Sequence, residues 1–298
     1  MKQKMLILGG NSLIGSTLSG YSKDLYDIHV TTYENTVPSN INSSKLDLIK
    51  DRIKIPSIIK DVNPDVVVHT VAYPNVDFCE TNYSDAKLLH VDITKDVSLA
   101  CNDVDSKLIY FSTDAVFDGK SPQKYTENDL PNPLSKYGET KLNAEKTIQQ
   151  ICKKNIILRT TVVYGWHIRS RFTNWVLNNL KNNKTINAFT DQNNTPTLVD
   201  DLSSCILKIL EKNVLGLHNA CGNSCLSRYE FALKIAESFN YDKNLIIPMD
   251  SFGKQLAPRP VNGCLDVSKL EQLIDFHFSN IDEGMDFLLK KSTVQNTD

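Results

Sequence analysis

No stretch of the chain approaches the ~20 consecutive apolar residues that a membrane-spanning helix needs, so a helical membrane protein is excluded. The opening run, Met1-Lys2-Gln3-Lys4-Met5-Leu6-Ile7-Leu8, turns to Gly9-Gly10 too soon for the apolar core of a signal peptide, and a cytoplasmic protein is expected. Cys-x-x-Cys is missing, and the seven cysteines are scattered and odd in number. They read as reduced, mostly buried thiols rather than a disulfide frame or a zinc site. There is no His-x-x-x-His or comparable ligand spacing, so no metal is expected and the histidines read as satisfied structural residues, His69 and His90 among them. An excess of one charge is also lacking: 33 basic and 35 acidic side chains leave a net charge of -2. That balance gives no field to hold a nucleic acid. Internal repeats and low-complexity blocks are absent too. What is present is an ordinary globular composition, 298 residues with 41% hydrophobic and 23% charged, enough for more than one small domain.

Strand and helix signals alternate through the first half. Apolar or β-branched runs at Lys4–Leu8, Asp27–Thr32, Asp65–His69, Lys107–Phe111 and Asn155–Thr160 read as strands. Val66-Val67-Val68 has little polar alternation, as expected of a strand buried on both faces. Helical spacing falls at Leu13–Ser22, Asp51–Asp61 (with Pro56 threatening its start), Ser84–Cys101 and Pro133–Cys152. This is the pattern of a doubly wound α/β sheet, which binds ligands at the carboxyl ends of its strands. Regularity weakens after about residue 163. We therefore expect residues 1–163 to form a nucleotide-binding unit with a returning segment near 190–222. Residues 164–298 would mostly build a smaller α+β substrate-binding lobe. Asp200-Asp201 is expected to cap a helix starting near Leu202, and Lys290–Asp298 to fray.

Three segments carry chemistry. Gly9-Gly10-Asn11-Ser12-Leu13-Ile14-Gly15 follows the first strand and opens the first helix, where a dinucleotide pyrophosphate rests on backbone N–H groups. Ser12 stands where such loops have their middle glycine; its side chain either crowds the phosphate or donates a hydroxyl to it. The second strand ends in Thr31-Thr32-Tyr33, with Glu34 one step beyond. A hydroxyl at Thr32, where NAD-selective sites carry a carboxylate, favours NADP(H), with NAD(H) as the alternative. Tyr137 and Lys141 sit four apart on one helix face, where an ammonium lowers a phenol's pKa and readies it for proton transfer. A surface pair would show the same spacing. Ser112-Thr113-Asp114-Ala115-Val116-Phe117-Asp118-Gly119 follows a buried strand, and Thr113 is placed to hydrogen-bond a substrate carbonyl held against Tyr137.

Together, and in this order, these segments resemble the extended short-chain dehydrogenase/reductase superfamily. Within it they are most similar to the dTDP-4-dehydrorhamnose reductase family of sugar-nucleotide reductases, which includes the methionine adenosyltransferase β subunit. The likeness continues through Asn63–Asp77, Pro131–Gly138, Arg159–Gly165, Asp191–Thr197, Ser227–Phe231 and Ala257–Pro260. It implies a Rossmann-type fold and reduction of the 4-keto group of a nucleotide-linked 6-deoxy sugar. It implies Thr113, Tyr137 and Lys141 as the catalytic triad, with Tyr137 and Lys141 also meeting the cofactor. Gly9, Asn11, Ser12, Leu13, Ile14 and Gly15 would line the pyrophosphate, Asp47 and Leu48 the adenine end with Thr32, and Val71, Ala72 and Tyr73 the riboses. Thr113, Asp114, Ala115, Val162 and Arg259 would meet the substrate. The implied partner is a small nucleotide sugar, with a homodimer as the possible assembly. Ala115 and Val162 stand where the family commonly has tyrosine and tryptophan, which removes flat surface for a pyranose ring. Those losses, with Ser12, keep open a non-catalytic regulatory subunit; epimerisation is a further alternative. His167, with Trp166, Arg169 and Arg171, lies either near substrate phosphates or in a solvated loop.

Overall fold

The computed structural model describes residues 2–33 and 41–295. In chain order the strands are β1 (Gln3–Leu8), β2 (Tyr26–Thr32), β3 (Asn42–Lys45), β4 (Val66–His69), β5 (Lys107–Thr113), β6 (Asn155–Thr160), β7 (Val163–Tyr164), β8 (Ile186–Phe189), β9 (Asn193–Asn194), β10 (Thr197–Leu198), β11 (Gly216–Asn219), β12 (Leu226–Ser227) and β13 (Ile246–Met249). The helices are α1 (Leu13–Ser22), α2 (Ile55–Val62), α3 (Val76–Thr81), α4 (Tyr83–Lys87), α5 (Ile93–Asp103), α6 (Lys136–Ile151), α7 (Arg171–Lys181), α8 (Val199–Glu211), α9 (Arg228–Ser238), α10 (Ser268–Ile274) and α11 (Ile281–Gln295).

Seven strands form one sheet in the order β3-β2-β1-β4-β5-β6-β11, every neighbouring pair parallel. Alternate side chains enter two cores. Met5, Ile7, Ile109 and Phe111 pack on one face with α1 and α8, while Leu6, Leu8, Leu108 and Tyr110 pack on the other with α2, α5 and α6. All four residues of β4 are buried, as expected of a strand covered on both sides. A third core gathers Tyr164, Val176, Leu180, Phe231, Ile235 and Met285 from β7, α7, α9 and α11. The strand order reverses between β1 and β4, the switch point where doubly wound sheets open their ligand crevice.

Local chemistry sets the boundaries. Pro56 lies in the first turn of α2, where a missing N–H costs nothing; the α-helix begins at Ile55 rather than at the expected Asp51, and Arg52–Lys54 form a 3₁₀ turn before it. Asn63 ends α2 in the left-handed conformation. The helix expected over Ser84–Cys101 is present as one unbroken run of α4, a π turn at Leu88–Asp92 and α5, preceded by α3 capped by Asn75. The π turn buries Leu89 and His90 together. Asp200 and Asp201 do not cap: α8 starts at Val199 and carries both in its first turn, where their charge suits the helix dipole. Lys290 onward is not frayed through its first half, since α11 continues to Gln295. The expectation of reduced cysteines fails at one pair: Cys225 and Cys264 form a disulfide across 39 residues. Sequence spacing could not show that the fold brings the segment before α9 beside residues 262–265.

Candidate active site

Beneath the β1–α1 turn, backbone approach is too close for side chains. A Cβ on Gly9 (φ +92°) would lie 2.6 Å from Thr70 Oγ1, and one on Gly15 would lie 2.4 Å from the Gly9 carbonyl oxygen. The Ser12 side chain is held by the protein itself. Its Oγ accepts from Gly15 N at 2.9 Å, capping α1, and lies 2.8 Å from Thr70 Oγ1, which donates to the Leu8 carbonyl. The hydroxyl is engaged by the protein through both contacts. Gly9, Asn11, Ser12, Thr32, Asp47, Leu48, Val71, Ala72 and Tyr73 line a cavity of about 550 Å³. Of the remaining loop residues, Ile14 lines the neighbouring cavity, whereas Leu13 and Gly15 line neither; Gly15 supports the turn from below. Lys50, which sequence reasoning passed over, joins the lining beside Asp47; Glu34 lies outside the described residues. The cradle, the capped helix and the missing Cβ atoms fit a dinucleotide.

A second cavity of about 640 Å³ adjoins the first, and Thr70, Ala72 and Arg169 line both. It collects Thr113, Tyr137 and Lys141, together with Asp114, Ala115, Val162 and Arg259. Thr113 ends β5 and caps the next turn by accepting from Ala115 N at 3.1 Å. Ser135 caps α6 through Gly138 N at 3.2 Å. A Cβ on Gly138 would sit 2.1 Å from the Ala115 carbonyl oxygen. Only glycine there lets α6 close on the 113–116 turn, and that approach carries the Tyr137 phenol within hydrogen-bonding reach of Thr113.

The electrostatics differ from the expected pair. Lys141 does not lower the phenol's pKa; burial and the Asp114 carboxylate push Tyr137 up, while the Thr113 hydrogen bond pulls the other way. The Lys141 ammonium turns down instead, donating to Tyr110 Oη at 2.8 Å and to the Phe111 carbonyl. Burial brings its pKa down to about 7. His90 stacks edge-on against Tyr137 and is satisfied by Tyr73 N and Thr140 Oγ1. His69 departs from the satisfied-histidine expectation: both ring nitrogens are buried without a partner, and desolvation lowers its pKa to about 3. Neutrality is what makes that burial tolerable.

Burial also raises the Asp114 pKa, even though its oxygens accept from Thr113 Oγ1 at 2.9 Å and Asn194 Nδ2 at 2.6 Å. Arg259 is tied to Asp77 Oδ1 at 3.0 Å. Val162 sits at φ +44°, a strained conformation for a β-branched residue, against the cavity. The aromatic surface missing at Ala115 and Val162 comes from another element: Phe172 and Trp175 of α7 line the same cavity, as does Arg228 at the start of α9. None of these three bore a sequence signal of a site role, because their approach depends on long-range packing. His167 packs on α1 through Ser16 Oγ at 3.1 Å rather than standing in the cavity.

A family model described as RmlD substrate binding domain matches residues 3–294. A dTDP-4-dehydrorhamnose reductase from Aggregatibacter actinomycetemcomitans is 30% identical over 283 residues, 90% of this chain and 92% of that one. The methionine adenosyltransferase 2 subunit beta of Bos taurus is 33% identical over 231 residues, 75% of this chain and 69% of its own length. Among solved structures, a dTDP-4-dehydrorhamnose reductase from Bacillus anthracis in complex with NADP superposes with a TM-score of 0.89 at 26% identity. That match covers 98% of this chain and 100% of the other.

Proposed function

Since the chain belongs to the RmlD substrate-binding-domain family of sugar-nucleotide reductases, we propose that it reduces the 4-keto group of a nucleotide-linked 6-deoxy sugar. The observation that carries this reading is the meeting of Thr113, Tyr137 and Lys141 in a cavity continuous with a dinucleotide cradle. Gly9, Asn11 and Ser12 would hold the pyrophosphate, Thr32, Asp47 and Leu48 the adenosine end, and Val71, Ala72 and Tyr73 the riboses. A hydroxyl at Thr32, with Lys50 lining the same cavity, favours NADP(H), the ligand in the Bacillus anthracis structure; NAD(H) is the alternative. The cofactor supplies the hydride. The protein's part is the oxygen. Thr113 and Tyr137 donate hydrogen bonds to the carbonyl oxygen as charge develops there, and Tyr137 releases its proton to it. The Lys141 ammonium lies one helical turn away on the same helix, supplying positive charge to the site when protonated. Asp114, Ala115, Val162 and Arg259 would meet the sugar nucleotide.

The test is NADPH and NADH oxidation with dTDP-, UDP- and GDP-linked 4-keto-6-deoxy sugars. Turnover is expected with at least one. Tyr137→Phe should lose about 10²-fold or more in kcat while still binding NADPH; a variant that turns over at the parent rate would refute the assignment. A second reading, a regulatory subunit, rests on the small side chains at Ala115 and Val162 and on the similarity to a protein named as a subunit. It is favoured only if no sugar in the panel is reduced and the protein purifies with a partner enzyme.

A further inference from the structure

Two cysteines meet beside the wall of the substrate-facing cavity, and strand register explains why. β9 lies between two segments. On one side β12 runs antiparallel to it, with Leu226 opposite Asn194 and Ser227 opposite Asn193. On the other side residues 261–263 run parallel to it. Asn193 N donates to the Val261 carbonyl and Gly263 N donates to the Asn193 carbonyl, each at 2.8 Å, with Asn262 opposite Asn193. Continued one residue past β9, both registers reach Thr195, with Cys225 on one side and Cys264 on the other. The disulfide clamps the two outer segments across the end of β9, their Cα atoms 5.6 Å apart.

The clamped strands hold part of the site. Asn194 Nδ2 donates to Asp114 Oδ2 at 2.6 Å, and a Cβ on Gly263 would lie 2.5 Å from that same oxygen. Asp114 in turn accepts from Thr113 Oγ1 at 2.9 Å. Cys264 is therefore one residue from backbone that presses on Asp114, and Asp114 is one contact from the Thr113 hydroxyl. Asn194, Arg228 and Pro260, on or next to the three segments, line the substrate-facing cavity. Among the described residues, none of the three segments contributes to the lining of the dinucleotide cradle. Pairings of two or three residues are too short to hold such a wall by themselves.

The two half-cystines differ in access. Cys264 is fully buried, its carbonyl accepting from Tyr125 N at 2.7 Å, whereas Cys225 is exposed. The other five cysteines are free and buried. Cys221, the nearest in sequence, donates to the Leu265 carbonyl at 3.6 Å, and burial pushes its thiol up to about 12. Exchange requires a thiolate, so Cys221 does not compete for the bond.

The structure assigns the Cys225–Cys264 bond as a redox modification site that sets the affinity of the substrate-facing cavity and leaves the dinucleotide cradle alone. A dithiol reductant supplies both electrons. Its thiolate attacks the exposed Cys225 sulfur, the S–S bond breaks, and Cys264 leaves as a thiolate that takes up a proton. The reductant's second thiol then displaces Cys225 from the mixed disulfide. The protein gains two thiols and the reductant ends as a disulfide. A disulfide oxidant reverses the sequence. Opening the bond uncouples β12 from residues 261–264, and Asn194 loses its fixed seat against Asp114.

The ligand in this inference rests on the nucleotide-sugar reading above, but the test reads binding as well as turnover. The folded parent protein would be titrated calorimetrically with dTDP, UDP, GDP and NADPH in three states: oxidised, reduced with dithiothreitol and desalted, and reoxidised with glutathione disulfide. Cys225→Ser, which keeps the buried Cys264, would be titrated beside it. Reduction is expected to weaken nucleoside diphosphate binding about 5-fold or more. Reoxidation should restore it, and NADPH affinity should stay constant throughout. Cys225→Ser should bind like the reduced parent whatever the redox treatment. A bond that millimolar dithiothreitol does not open in the folded protein overturns the inference. So does diphosphate affinity indifferent to the bond, which leaves the reductase reading standing. An equal loss of NADPH affinity also overturns it, since the bond would then hold the whole fold rather than one cavity. A reversible diphosphate shift with no reduction of any 4-keto sugar supports the inference and sinks the reductase reading.

Discussion

Lys141 is 3% exposed, and its ammonium has a phenol and a carbonyl for partners but no carboxylate. In the unfolded chain it titrates near 10.5; in the fold it titrates at about 7. Between those values the unfolded chain holds the proton and the folded one does not, so stability rises with pH across that window and the full penalty applies below it. At about 1.4 kcal/mol per pKa unit the full penalty is on the order of 5 kcal/mol. Lys141→Met should therefore stabilise the cofactor-free protein at pH 7 and stabilise it much less near pH 10, while removing turnover. Urea melts at both pH values measure this, and a gain independent of pH would show that the ammonium is not the source. Ser12 gives a second residue-scale prediction. Because its hydroxyl caps α1, Ser12→Ala should cost about 1 kcal/mol in the same melts. NADPH affinity should change by less than a few-fold, since the hydroxyl is already engaged by Gly15 N and Thr70. A large affinity loss with unchanged stability would place the hydroxyl on the ligand instead.

Elements were legible where burial imposes a period and hidden where packing decides. Residues 13–22 and 155–160 emerged with their observed bounds, because each joins a clear repeat to a cap or a turn. The π turn inside the helix at Leu88–Asp92 did not, because it changes the pitch without changing the residue types. Strands of two residues, such as β9 and β12, carry no alternation to read. The site divides in the same way. Thr113, Tyr137 and Lys141 lie in compact motifs, whereas Arg228 and Phe172 reach the cavity from α9 and α7 through the third core. The disulfide belongs with the hidden features and gives an element-scale prediction. It closes a span of 39 residues, worth about 4 kcal/mol on a chain-entropy model. In unfolded, unreduced protein, thiol titration should find five free groups, Cys79, Cys101, Cys152, Cys205 and Cys221, rising to seven after reduction. Reduction should lower the unfolding midpoint. Seven thiols before reduction would show that the bond is not formed.

Across the whole molecule, charge is distributed against its own sum. The chain is close to neutral, yet four arginines and a lysine converge on the one cavity that holds Thr113 and Tyr137. A cleft of one sign between low-dielectric walls concentrates ligands of the other sign, and the effect weakens as salt shortens the screening length from about 30 Å at 0.01 M to about 3 Å at 1 M. An anionic sugar nucleotide should therefore show kcat/KM falling several-fold across that range, with the change carried by KM because the field acts on capture and not on proton transfer. Thymidine, which is uncharged, should bind equally well throughout. Arg228→Met and Arg259→Met should each flatten the salt dependence, and Lys50→Met, at the adenosine end of the other cavity, should flatten it for NADPH and leave the sugar nucleotide's unchanged. A salt response indifferent to all three substitutions would mean that capture is governed by charges outside both cavities. The convergence of arginines would then serve only the bound complex.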